Sequence, residues 1–201
     1  MTEKTVGRYV GWRLEKIRAL PEHPRKAMLA NLRRGVGHAP GEIPELWGSF
    51  LQDLPEAFQS RDGIPTPAEW AVYLALTLYA LHQQSQTKDM NRAGAAFGAA
   101  VRRLTGPNEE PQDSSVFRRF NALATAASMA ELSHHLRGVI QLLRRDEIPL
   151  DYSRLAEDLF WLQFPGTAPQ VRLRWGQEYY AAPDEKETQD TDSGKENPNE
   201  E

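Results

Sequence analysis

The chain has 201 residues, a mass of 22.8 kDa, no cysteine and a formal net charge of -4. That length accommodates one helical domain, or two small ones packed together, with roughly 70% of the unfolded surface buried on folding. Lack of cysteine excludes disulfide frameworks, thiolate metal sites and cysteine nucleophiles, and with no signal-like start and no apolar run near ~20 residues the chain is expected to be soluble and cytoplasmic.

The net charge averages two unlike pieces. Residues 184–201 (DEKETQDTDSGKENPNEE) hold eight acidic residues and two lysines, a net of -6, so residues 1–183 carry +2. The acidic segment has no aromatic or aliphatic side chain to offset its ordering entropy, and it is expected to be disordered. Of 24 basic residues, 18 are arginine, the side chain whose planar fork of donors matches phosphate.

Before that segment nearly everything reads as helix. The first helix covers Val6 to Leu20, with Tyr9, Val10, Arg13, Ile17 and Leu20 near one stripe. Pro24 suits the first turn of a second helix ending at Arg34, where Gly35 and Gly37 stop it. A short piece with Leu46, Trp47, Phe50 and Leu54 follows. Thr66-Pro67-Ala68-Glu69 is a capping box with proline at the first helical position. The helix it opens is apolar nearly all round (Trp70, Tyr73, Leu74, Leu76, Leu78, Leu81) and should run through the core. A fifth helix is predicted over Asn91–Leu104.

The polar stretch Gly106–Ser114 (GPNEEPQDS) reads as a linker. Helices are predicted beyond it at Ser115–Ala127, Met129–Arg145, Tyr152–Phe164 and Gln170–Ala181. Ser128 and Glu131 form a second capping box, and Met129, Leu132, Leu136, Val139, Ile140 and Leu143 make a buried stripe. The reading is an all-α bundle of eight to nine helices in two packed halves: residues 1–106, a linker at 107–114, residues 115–183, and the acidic tail at 184–201. Trp70 and Leu136 are expected to be buried, one in each half. Core is likewise the expectation for Trp12, Trp47, Phe97, Phe117, Phe120 and Phe160.

Enzyme signatures are missing: there is no phosphate-binding glycine loop, GxSxG, HExxH or EF-hand loop. His134 and His135 point about 100° apart on a helix and cannot share a metal. Asp151, Glu157 and Asp158 read as carboxylates near a helix start, where the macrodipole favours them. No catalytic residue, metal site or cofactor is expected. Arginines carry the chemistry instead, and they fall in doublets. Arg33, Arg34, Arg102, Arg103, Arg118, Arg137, Arg144 and Arg145 are the candidate nucleic-acid-binding residues. On the Met129 helix, His134, Arg137, Gln141, Arg144 and Arg145 share the face opposite the apolar stripe. Ala95 and Ala99 beside Arg92, Arg102 and Arg103 would let a phosphate backbone approach closely. Arg119, a turn before Leu123, reads as a structural residue paired with a carboxylate. Gly94-x-x-x-Gly98 signals a close helix contact. No aromatic platform for stacking bases is present, so contacts to backbone are expected. A helical adaptor whose arginines bind acidic protein partners is the competing reading.

The order of short motifs resembles CasB, the small-subunit family of the type I-E CRISPR surveillance complex, Cascade. The resemblance is carried by ANLRRG (30–35), GAAFGAAVRRL (94–104), FRRFNAL (117–123), ELSHHLR (131–137), IQLLR (140–144), PLDYSRL (149–155) and Asp158-Leu159. It implies an all-helical, two-part, non-enzymatic protein that partners other Cascade subunits. It further implies a pair of copies along the inner face of the complex, beside guide RNA and target DNA. There the family helps to hold the R-loop and the displaced strand, and cutting is left to a recruited nuclease-helicase.

Overall fold

Nine α-helices build the molecule over the residues that this computed structural model describes, 3–106 and 110–181. They are α1 (Glu3–Ala19), α2 (Glu22–Arg34), α3 (Trp47–Phe50), α4 (Pro67–His82), α5 (Phe97–Arg102), α6 (Ser115–Ala124), α7 (Met129–Arg145), α8 (Tyr152–Trp161) and α9 (Ala168–Tyr180). The acidic tail lies outside the described residues, as does the middle of the expected linker, 107–109.

Helix α4 is the axis of the fold. The Thr66 hydroxyl accepts from the Glu69 amide at 3.0 Å, and the Glu69 carboxylate accepts from the Thr66 amide at 2.8 Å. Both halves of the capping box are therefore made, and the second Glu69 oxygen also takes the Ser60 amide at 3.1 Å. Every residue from Ala71 to His82 is buried, because α1, α2, α7 and α8 all pack on this helix. That encirclement is the physical reason the segment has no polar face. The second box is only half made. Ser128 caps the Glu131 amide at 3.2 Å, but the Glu131 carboxylate takes the Ala127 amide at 2.8 Å instead of the Ser128 amide.

The two halves share one continuous apolar core, with Leu136 fully buried within it. Glycines set how closely the elements meet. A Cβ on Gly7 would stand 2.6 Å from the Ser153 carbonyl oxygen, so α1 and α8 touch backbone to backbone there. Gly98 plays the same part between α5 and α9, where a Cβ would meet the Trp175 carbonyl oxygen at 2.2 Å. Its expected companion Gly94 does something else: it adopts φ +80° and donates its amide to Asp151 at 2.8 Å.

This turn explains why the fifth helix is shorter than predicted. Residues before Phe97 spend their backbone groups on the segment ahead of α8, with Arg92 N bonded to Leu150 O and Asp151 N to Ala95 O. A parallel bridge pairs Asn91 with Leu150, and the Asn91 side chain caps the Tyr152 amide at 3.0 Å. Long-range pairing here overrides local helix propensity. The near ends of the linker are also pinned, since Thr105 and Ser114 both bond the Tyr179 hydroxyl.

Several expectations about burial need correction. Trp12 is 37% and Trp47 is 52% exposed, because the core stripe of α1 runs through Val10 and Leu14, and α3 turns Phe50 inward. Trp70 and Phe117 are half-buried, while Phe97, Phe120 and Phe160 are core. Asp158 is not a carboxylate at a helix start. It is buried in α8, ion-paired with Arg174 and accepting from Trp175 Nε1 at 2.6 Å. Asp151 is the N-cap of α8, its carboxylate taking the Arg154 amide at 3.0 Å. Arg13 completes the α1 stripe as a buried cation, with Nη2 donating to the Ser49 carbonyl at 2.8 Å and Nη1 3.5 Å from Asp53.

Candidate nucleic-acid interface

The arginines of α7 emerge where its apolar stripe ends. His134, Arg137, Gln141 and Arg145 are exposed and Arg144 is half-buried, all opposite Leu136, Val139, Ile140 and Leu143. Arg144 donates from Nη1 to Gln84 Oε1 at 2.7 Å, and its carbonyl accepts from Gln86 Nε2 at 2.8 Å. No carboxylate pairs with it among the described residues. Half-buried Arg33 of α2 comes close enough that burial and the charge of Arg144 lower its pKa from the usual guanidinium value. The Arg144 guanidinium thus has an amide oxygen and no carboxylate as its partner, with Arg33 near enough to feel its charge.

The seam extends in both directions. Arg137 Nη1 lies 3.6 Å from where a Cβ on Gly37 would sit, so α7 reaches the turn after α2. Arg119 Nη1 lies 4.0 Å from the corresponding point on Gly138, which brings α6 to the same face. Arg118, Arg119 and Arg137 have no ion pair among the described residues. For Arg119 this corrects the expected structural pairing; its side chain is exposed on α6.

Beyond Arg33 the seam opens into a groove of about 1080 Å³ between the ends of α1 and α2 and the loop after α4. Arg18, Arg25, Lys26 and Arg33 line one side, and Gln83 to Thr87 line the other. Two of these cations are already engaged: Arg18 pairs with Asp89 at 3.1 Å and Lys26 with Glu22 at 2.5 Å. Sequence reading missed this groove. Its signal was present as Arg25, Leu29 and Arg33 at four-residue spacing, followed far along the chain by the amide-rich run QQSQT.

The remaining predicted residues divide. Arg34 pairs with Glu45 at 3.5 Å, and Arg145 bonds Asp146 at 2.6 and 2.9 Å, which raises the Arg145 guanidinium pKa and lowers that of Asp146. Their charge is largely spent locally. Arg102 and Arg103 sit at the end of α5, which packs mainly on α9, so they belong to a different element from the seam. Among the described residues, no group of three or more His, Asp or Glu side chains could hold a metal ion. No described helix is long and apolar enough to cross a membrane.

Residues 28–180 match the family model described as CRISPR-associated protein Cse2. This chain belongs to the CasB/Cse2 family. The crystal structure of CasB from Thermobifida fusca is 37% identical, with a TM-score of 0.73 over 88% of this chain and 98% of that one. The structure of M. ruber CasB is 25% identical, with a TM-score of 0.58 over 87% and 92%. No curated protein matches by sequence. CasB proteins are small structural subunits of type I-E Cascade, which makes other Cascade subunits the partners of this chain. Within this CasB chain, Arg33, Arg137 and Arg144 fall inside the matched span. The α1 wall of the groove, Arg25 and Lys26 precede it, and residues 184–201 follow it.

Proposed function

We propose that this CasB subunit binds nucleic-acid backbone along the basic seam from α6 across α7 into the α2 groove, and so stabilises the R-loop and its displaced strand. The observation that carries the reading is the α7 face, where Arg137 and Arg144 have no carboxylate partner among the described residues and Arg33 of α2 is near enough to feel the charge of Arg144. Like charges held together cost free energy unless an anion bridges them, and a phosphate oxygen bridges two guanidinium groups well. Exchanging a DNA duplex for an RNA–DNA hybrid is nearly balanced in free energy, so modest backbone contacts are enough to tip it. The protein adds no catalysis in this reading. It acts in the cytoplasm within Cascade, beside guide RNA and target DNA and with a second copy of itself.

The test compares two sets of charge reversals. Changing Arg33, Arg137 and Arg144 to glutamate should abolish binding of the isolated subunit to single-stranded DNA and shorten R-loop lifetime in assembled Cascade. Changing Arg102 and Arg103 should have the smaller effect. Wild-type affinity in the triple variant sinks the seam as the contact surface. Loss of assembly with Cascade, with DNA binding intact, would instead make the arginines a protein-docking face.

A further inference from the structure

The described chain ends beside the basic seam. The Tyr180 ring at the end of α9 packs 6.0 Å from that of Phe117, whose neighbours Arg118 and Arg119 are exposed. From this point residues 184–201 continue with Asp184, Glu185, Glu187, Asp190, Asp192, Glu196, Glu200 and Glu201 against two lysines. Eighteen residues reach up to roughly 60 Å, whereas the 17 residues of α7 measure only about 25 Å. The segment can therefore cover the line Arg118, Arg119, Arg137, whose cations have no ion pair among the described residues. Carboxylates spaced one to four residues apart along one chain present the chemistry of a strand of phosphates.

We propose that the acidic segment 184–201 docks on Arg118, Arg119 and Arg137 and competes there with nucleic acid. The competition rests on the nucleic-acid reading above; the docking does not. A tethered competitor is present at an effective concentration of about millimolar, so it displaces weak, non-specific strands and yields to a strand held also by the groove and by Cascade. The seam then discriminates by the number of simultaneous contacts, not by base identity.

Two measurements on the full chain test this. In the first, all eight tail carboxylates are replaced by their amides, Asp→Asn and Glu→Gln. Affinity for a labelled oligothymidylate should tighten by roughly two- to tenfold at about 50 mM salt, as expected when a millimolar tether is removed, with the gap closing by about 200 mM. In the second, Gly194→Cys carries a nitroxide, the only thiol in a chain without cysteine. Backbone amide signals of Arg118, Arg119 and Arg137 should broaden at low salt and recover in the amide-tail variant. Absence of that broadening overturns the docking whether or not DNA binds. Broadening with equal DNA affinities in both tails overturns the competition. Broadening with no DNA binding in either chain overturns the nucleic-acid reading and the competition with it, while the docking stands.

Discussion

His82 sits fully buried at the end of α4, with Nδ1 2.9 Å from the Tyr152 hydroxyl. Burial, with the nearby charge of Arg144, lowers its pKa from 6.5 to about 4. The unfolded chain therefore binds a proton that the folded chain refuses between those values. The stability of the neutral form is complete above pH 6.5 and is lost as pH falls toward 4. Between pH 6.5 and 5 the loss should be about 2 kcal/mol. Denaturant titrations of the unaltered chain should show this slope, and His82→Gln should flatten it by about one proton; an unchanged slope would mean His82 is not the titrating group. Asp158 illustrates the opposite compromise. Burial raises its pKa while Trp175 and Arg174 hold it down, so its role is to tie α8 to α9.

At the scale of elements, contacts through glycine decide the geometry. The point where Gly98 faces Trp175 O leaves no room for a methyl group, and the obstacle is backbone that cannot rotate away. Gly98→Ala should cost about 3 kcal/mol or more by forcing α5 off α9, lowering the melting temperature by roughly 6–12 °C. Gly176→Ala on α9 is the control. It meets nothing within 4 Å, and alanine should match or raise stability by up to about 1 kcal/mol. Equal melting temperatures for both variants would show that α5 and α9 can separate freely. The same contact holds the amide of Gly98 3.1 Å from Glu178, which also pairs with Arg154.

Across the whole molecule, the groove offers charge and amides but no large exposed ring for stacking among its lining residues. The exposed large apolar residues among those described are Trp12, Trp47, Leu51, Ile64, Leu173 and Tyr180, and none lines the groove. Binding should then be insensitive to base sequence, and about five phosphate contacts would give a slope near -3.5 for log affinity against log salt on single strands. Fluorescence anisotropy with oligonucleotides of different composition checks both statements. A tenfold preference for one composition would point to base readout and away from this surface.

Local chemistry determined much of this protein directly. The capping box at Thr66 and Glu69, the apolar stripe of α7 and the uniformly apolar α4 are each written in residues a few positions apart, where helix geometry leaves little freedom. The opposition of Arg137 and Arg144 to that stripe was legible for the same reason. What joins them to Arg33 was not, because α2 and α7 are brought together only by packing on α4. The truncated α5, the buried Asp158 and the groove behind Gln83–Thr87 have the same origin. Each depends on partners dozens of residues away, so only the tertiary structure decides which charges are neutralised in the core and which stand together at the surface.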